Sequence, residues 1–439
     1  MLWRPLPLLL LACVGALQPQ PSRRRAVQTG MLGSLAGVRP GKVAAVGAAP
    51  PAVPLGAAEL KASEVYAVVA DSTEHLMPSV RQLSADAVVN DLASKSKRAI
   101  FLGEHHNSAS DHLLQAGVIR QMHARRGHEP MAVGLEAVQR RFQPALDDYV
   151  AGRIPEAELE AAVEWRKRWF WPFDRYLPVF QACRELGIPL LALNVDAEDL
   201  SKVEVGGLPA LPKETLRGYV PDAQGFGAFA STTAFKEYVA FAIKPSYEMH
   251  QRMGILRSTI TGQQLDEDMS FRNFFSCRIL WDEAMATASA EWCRTNPQGL
   301  LISLVGSDHV KFSCGVPARC ARQLPGGLAS VATVMLNPNP SDTVSDPITR
   351  QFSDGTRALD QDPPNFGRGQ DGLVNFGQYT LQLRFAPVTG HDEPPGIGAV
   401  PEDREKAAAV SQASAGSSVL KLSEYLMFSQ APIPQYSFR

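Results

Sequence analysis

The stretch Ala99-Ile100-Phe101-Leu102-Gly103-Glu104-His105-His106-Asn107-Ser108-Ala109-Ser110-Asp111-His112 sets the reading of the chain. An apolar run stops at Gly103, and an acid, imidazoles and helix-capping residues follow at once. That pattern describes a buried strand whose carboxyl end delivers Glu104 and His106 to a loop. Ser108, Ser110 and Asp111 can then cap a helix whose Leu113, Leu114, Val118, Ile119 and Met122 share one face. Open parallel sheets build their sites at the carboxyl ends of strands, so the next question is whether other strands end the same way.

They do. Residues 131–136 form a second apolar run ending on a carboxylate, Glu136. Residues 188–194 end on the amide of Asn194, and 299–306 run through Gly306 into Ser307-Asp308-His309. A fifth strand is expected over 329–336. Helical spacing falls between them: 173–187 with Gly187 as its C-cap, and a long helix carrying Met269, Phe274, Arg278, Trp281, Met285 and Trp292. Pro317 suits the first turn of a further helix. Strands alternating with helices predict an α/β fold, a mostly parallel sheet with helices on both faces. Right-handed crossovers then bring four strand ends to one rim.

Three regions fall outside this alternation. Residues 60–97 read as two weakly amphipathic helical stretches. Residues 195–264 are Gly- and Pro-rich with two helical pieces, too long for a simple connection, and read as a helical insertion, a cap. Beyond 336 the chain reads as an irregular C-terminal extension: a loop rich in Asp, Pro and Gly to 373, an exposed strand over 379–386, low complexity over 392–416 and a short final element near 419–428. The expected division is therefore 1–58 presequence and linker, 59–336 α/β domain, and 337–439 extension.

An apolar content of 45% is ample for a large core, and a net charge of −2 gives no reason to expect nucleic acid as a partner. The six cysteines show no CxxC or metal-knuckle spacing, so a divalent metal is not indicated by spacing. At the amino terminus, Arg4 precedes a short apolar core, Leu6 to Val14, followed by Gly15 and Ala16, a secretory signal pattern. A basic run, Arg23 to Arg25, and a second weakly apolar stretch follow, and the first acidic residue is Glu59. This resembles a bipartite signal-plus-transit presequence and points to a plastid, with the thylakoid lumen as one destination. Plain secretion, or a lipid anchor at Cys13, are the alternatives. No later segment is apolar enough to span a membrane.

Glu104 and Glu136 each follow apolar runs, so each is either paired structurally or functional. They could act as general base and electrostatic stabiliser, or lock neighbouring histidines in place. His106 and His309 share their rim and suit acid/base or ligand roles. Gly103, His112, Gln115, Asn194, Asp282 and Gly306 are supporting residues, with Asp282 on the long helix as a partner for a rim histidine. There is no HExxH, Gly-x-Ser-x-Gly, GxGxxG or Walker A run. In the insertion, Tyr247, His250 and Met253 are spaced to supply an axial ligand to haem, or to pack as an ordinary amphipathic helix.

Taken in order, Gly103-Glu104-His105-His106 with His112 and Gln115, Gly134-Leu135-Glu136 with Gln143, Ile188 to Asn194, Trp281-Asp282-Glu283-Ala284-Met285-Ala286, and Val305-Gly306-Ser307-Asp308-His309 with Gly315-Val316-Pro317 resemble the motifs of the ChaN-like haem-binding uptake domain. That domain belongs to the Tiki superfamily with the erythromycin esterases and Tiki proteases. The resemblance implies haem or another tetrapyrrole as cofactor and partner, a tyrosine iron ligand, and a homodimer holding two haems face to face. Tyr247 is the residue chosen here, with His250 and His106 as further haem-binding residues. It also implies, as an alternative, a metal-assisted hydrolase using Glu104, His106, Glu136 and His309, or an inactive structural member. His105 and Asp308 depart from the family pattern.

Overall fold

The computed structural model describes residues 54–69, 79–339, 342, 373–376, 379–382, 384–385 and 420–429. The presequence, most of the 337–373 loop and the 392–416 segment lie outside the described residues. The chain begins with α1 (Ala57–Ala62), β1 (Glu64–Val69), β2 (Ser79–Leu83) and α2 (Ala85–Leu92). Two helical stretches were expected over this region; the short α1 and α2 form, but strands β1 and β2 lie between them. Val65, Tyr66, Val68 and Val69 are β-branched or aromatic and favour a pleated strand. Strand β1 is also flanked on both sides by antiparallel partners.

The alternating core follows: β3 (Ala99–Glu104), α3 (Ala109–Arg126), β4 (Met131–Gln139), α4 (Gln143–Val150), α5 (Glu156–Ala162), α6 (Trp165–Arg168), α7 (Leu177–Leu186), β5 (Leu190–Asn194) and α8 (Ala197–Gly206). Ser108 caps α3 through the Asp111 amide, and Gly187 ends α7 in the left-handed region, both as expected. The insertion carries α9 (Lys213–Tyr219), α10 (Ala223–Ala230), α11 (Thr233–Tyr238), a π-helical turn over Val239–Ile243 and α12 (Lys244–Arg252). The long α13 (Phe271–Thr295) leads to β6 (Leu300–Gly306), α14 (Ser307–Val310), α15 (Val316–Arg322) and β7 (Val331–Leu336). Short strands β8 (Leu373–Phe376), β9 (Tyr379–Gln382), β10 (Arg384–Phe385) and β11 (Leu420–Lys421) precede β12 (Tyr425–Phe428).

Eight strands form one sheet in the order β2-β1-β12-β7-β3-β6-β4-β5. The run from β12 to β5 is parallel, and β1 and β2 add an antiparallel edge. From β3 to β5 the crossovers step one way across the sheet, and from β5 to β7 they step back. Right-handedness therefore sends α3 and α7 to one face and α13 and α15 to the other. Strands β3, β4, β6 and β7 are buried along their whole length, as a sheet covered on both sides requires. The register sets Glu104 opposite Gly306, so two of the expected strand ends finish side by side.

The insertion is bolted to the core by charge. Arg319 on α15 is fully buried and donates to Glu283 of α13 at 3.0 Å. Its guanidinium lies 4.6 to 5.4 Å from the ring centroids of Phe226, Phe229 and Phe235 on α10 and α11, each within cation–π range. Arg322 reaches both Glu283 and Asp222, the N-cap of α10. Arg319→Met should cost about 3 kcal/mol, the low end for breaking a buried pair, because Arg322 still contacts Glu283. A urea midpoint measures the loss, and faster proteolysis within 222–238 should accompany it; unchanged cleavage there would mean the insertion is held by something else.

Candidate functional site

Glu104 is buried at the tip of β3, and an isolated carboxylate there would be very costly. It is not isolated. It accepts from His106 Nδ1 at 2.9 Å, Tyr176 Oη at 2.7 Å and Gln115 Nε2 at 2.5 Å, and His112 Nδ1 stands 3.7 Å away. Burial pushes this carboxyl up, but His112, His106 and Gln115 together outweigh it and hold it down at about 2. With Nδ1 donating to Glu104, His106 presents Nε2 away from it. That Nε2 is buried without a hydrogen-bond partner. A Cβ on Gly306 would lie 2.7 Å from it, so the glycine makes room for the imidazole.

The second group lies across Gly306. Glu136 Oε2 accepts the Gly306 amide at 2.6 Å, and Asn194 Nδ2 donates to the Glu136 carbonyl at 2.7 Å. His309 Nδ1 is 2.5 Å from Asp282 Oδ1. His309 Nε2 is 3.2 Å from Glu136 Oε1, close enough for charge attraction but not aligned as a hydrogen bond, so both atoms lack a hydrogen-bond partner. Burial and the Arg278 guanidinium press His309 down, yet Glu136 and Asp282 prevail and raise it to about 9. Glu136 is lowered: burial raises it, but His309, His106 and the Gly306 amide win. The structure thus brings together Glu104, His106, Glu136, Asn194, Asp282, Gly306 and His309, with His112 and Gln115 behind. Two imidazole nitrogens and one carboxylate oxygen are left without hydrogen bonds around Gly306.

Several contributors are not apparent from the sequence pattern. His106 packs against Trp171 and Trp169, with ring centroids 4.3 and 4.9 Å away. Tyr176, which reads as an apolar helix position, donates to Glu104. Tyr238 of α11 donates to the Asp308 carbonyl and accepts from Arg278 at 3.3 Å. The π-helical turn beginning directly after Tyr238 is a recognised companion of functional sites and the one local sign of it. Phe312 and Ser313, just past His309, are non-glycine residues at φ 55° and 57°, a strained turn next to the site.

Tyr247 and His250 stand elsewhere. Both lie on α12 and pack against Phe274 of α13. The Tyr247 hydroxyl donates to the Met269 carbonyl at 3.0 Å. His250 Nδ1 donates to the Ser246 carbonyl at 2.7 Å, which fixes Nδ1 as a protonated nitrogen. His106 belongs to the rim rather than to this pair. Among the described residues, no three His, Cys, Asp or Glu side chains are grouped as a metal site, and no helix is long and apolar enough to cross a membrane.

A rim of buried acid–imidazole pairs on a mostly parallel sheet defines the class of the protein. A family model described as haem-binding uptake, Tiki superfamily, ChaN matches residues 89–320, more than half of the chain, and the chain belongs to that family. The resemblance carried by the five motifs is thereby borne out. Among curated proteins, the chain is 24% identical over 252 residues, 55% of its length, to protein RETICULATA-RELATED 5, chloroplastic, of Arabidopsis thaliana. It spans 31% of that protein's length. Among solved structures, ChaN of Campylobacter jejuni, described with cofacial heme binding, matches at 17% identity and a TM-score of 0.42, covering 63% of this chain and 92% of that one. A mutant of the erythromycin esterase EreC in its open conformation matches at 15% identity and a TM-score of 0.32, covering 58% and 72%.

The two rim groups should shape stability in opposite directions with pH. Glu104 sits at about 2 against an ordinary 4.5, so its contribution is complete above 4.5 and is lost as the pH falls through 2. His309 sits at about 9 against an ordinary 6.5, so its contribution is complete below 6.5 and is lost as the pH rises through 9. Urea midpoints across pH should therefore decline on both sides of a plateau between 4.5 and 6.5. His309→Gln should flatten the alkaline limb and Glu104→Gln the acid one; an alkaline limb untouched in His309→Gln would contradict this assignment.

Proposed function

We propose that the chain is a haem- or tetrapyrrole-binding protein that serves haem or iron handling in a plastid. The observation that carries the reading is the family match across the α/β domain. The chloroplastic relative and the acid-poor, basic amino terminus support the compartment. The donor set on α12 is compatible with an iron porphyrin: an imidazole with its tautomer fixed, one turn from a phenol, against the phenyl edges of Phe271 and Phe274. His250 and Tyr247 would hold the group, with Tyr247 exchanging its bond to Met269 for the new partner. A bound haem would supply ligand exchange and electron transfer at its iron. Titrating the protein with haemin should give a saturable Soret shift. His250→Ala should weaken it by more than the roughly tenfold typical of losing an outer partner, and Tyr247→Phe should change its position. A flat titration would sink the reading.

The rim favours a second reading, a hydrolase working through acid–base chemistry. Its observation is the pair of imidazole nitrogens without hydrogen bonds beside Gly306, with His309 raised to about 9 by Glu136 and Asp282. His106, its Nδ1 proton held by Glu104, would accept a proton from water at Nε2. His309, kept cationic by Glu136 and Asp282, would donate one to a leaving oxygen or nitrogen. In a screen of esters and peptides, turnover should vanish in His106→Asn. Its pH profile should carry an alkaline limb near 9 that moves down in Asp282→Asn. Absence of turnover across the screen would leave the rim without this role.

A further inference from the structure

We propose that a cavity of about 80 Å³ between α8, α12 and α13 is a binding site for a carboxylate carried on a short apolar stem. Glu204, Ser246, His250, Arg278 and Trp281 bring polar groups to it, and Leu200, Ile260 and Phe274 contribute to its apolar walls. The site is built rather than incidental. Trp281 is only 7% exposed, and its indole N–H has no hydrogen-bond partner. A buried donor left unmet is costly, and the protein around this one supplies it no acceptor. Arg278 adds a cation, held in place by Tyr238 at 3.3 Å and by Asp282 at 3.8 Å. Glu204 is the sole acid among the lining residues. One of its oxygens accepts the Ile260 amide, and burial pushes it up to about 8, which favours the neutral carboxyl over a rival anion.

Donors, one cation and no lining negative charge select an anion or a strong acceptor. Apolar walls select one with little polar surface beyond its head. The size agrees: the cavity is about half of the roughly 150 Å³ that accepts a benzene ring, enough for a carboxylate and its first methylene. The position gives the site consequence, because Trp281 lies 5.5 Å from the His309 ring and Arg278 faces the carboxylate that holds His309. A ligand here would touch the rim through one layer of side chains. A free short-chain acid and the acid side chain of a larger ligand share this chemistry, and a tetrapyrrole propionate is the second case under the haem reading.

The full chain is titrated calorimetrically with propionate and with propionamide. It is also titrated with haemin and with haemin dimethyl ester by absorbance. The same series is run on Trp281→Phe, whose thermal unfolding and circular dichroism confirm that it is folded. Saturable propionate binding that propionamide lacks, and that weakens about tenfold in Trp281→Phe, supports the proposal with a free acid as ligand. If propionate alone does not bind, a preference of about tenfold for haemin over its ester that disappears in Trp281→Phe supports it with the tetrapyrrole as source. No binding of propionate together with equal binding of haemin and ester overturns the carboxylate site and leaves haem binding standing. No binding of any of the four probes overturns both.

Discussion

Everything near the rim depends on keeping two carboxylates ionised where water is excluded. Glu104 and Glu136 end strands that are buried from first residue to last, and neither is more than 2% exposed. A buried carboxylate persists as an anion only with a full set of donors and opposing charge. Here those donors and charges come from distant elements: the Gln115 amide and the nearby His112 from α3, the Tyr176 hydroxyl from the turn before α7, the Gly306 amide from the end of β6 and the charge of His309 from α14. Each carboxylate therefore fixes the relative placement of several crossovers. Removing any one donor would disturb an interface as well as a charge.

The two halves of the rim answer that constraint differently. On the β3 side the carboxylate accepts three hydrogen bonds, and the atom left without one is His106 Nε2. On the β6 side the histidine stands between two carboxylates and is held as a cation, while Glu136 keeps one oxygen without a hydrogen bond. His106 and Glu136 therefore flank one glycine, Gly306, each with an atom that lacks a hydrogen bond. Leaving such atoms unpaired in the interior costs stability, and each calls for a specific reason in a native structure. The aromatic cover of Trp169, Trp171 and Trp281 raises the stakes, since a low local dielectric strengthens whatever enters.

How much of this was legible in the sequence follows from the range of each interaction. The strand ends were readable because an uninterrupted apolar run that stops at Gly103-Glu104 or at Val305-Gly306 is a local signal. The cap of α3 and the C-cap of α7 are local too. Asp282 was readable at one remove, since helical spacing puts it on the core side of α13 near a rim histidine. Strands β1 and β12 were harder, because their partnership joins Val65 to Met427 across nearly the whole chain. Tyr176 and Tyr238 were invisible as functional groups for the same reason. Each occupies a helix position that an apolar residue would also fill, and only the fold shows that its hydroxyl reaches Glu104 or the Asp308 carbonyl.

His105 and Asp308, the two departures from the family pattern, turn out to share a purpose. His105 bridges Asp111 and Asp342 at 3.0 Å each, and is held well above its ordinary range because those carboxylates outweigh its burial. Asp308 pairs with Lys311, which also lies 3.8 Å from Asp342. Asp342 accepts from Ser307 and from the Asn339 amide as well. The chain leaving β7 is thus fastened to the loops that carry His106 and His309. Further along, the Leu422 carbonyl accepts from the Phe312 amide, so the chain returns to the same strained turn before β12 enters the sheet. An apolar residue in place of His105 could pack there but could not neutralise both Asp111 and Asp342. The departures are therefore what this chain needs to tie residues beyond its α/β alternation to the rim, and they leave the pairing of Glu104 with His106 and of His309 with Asp282 intact.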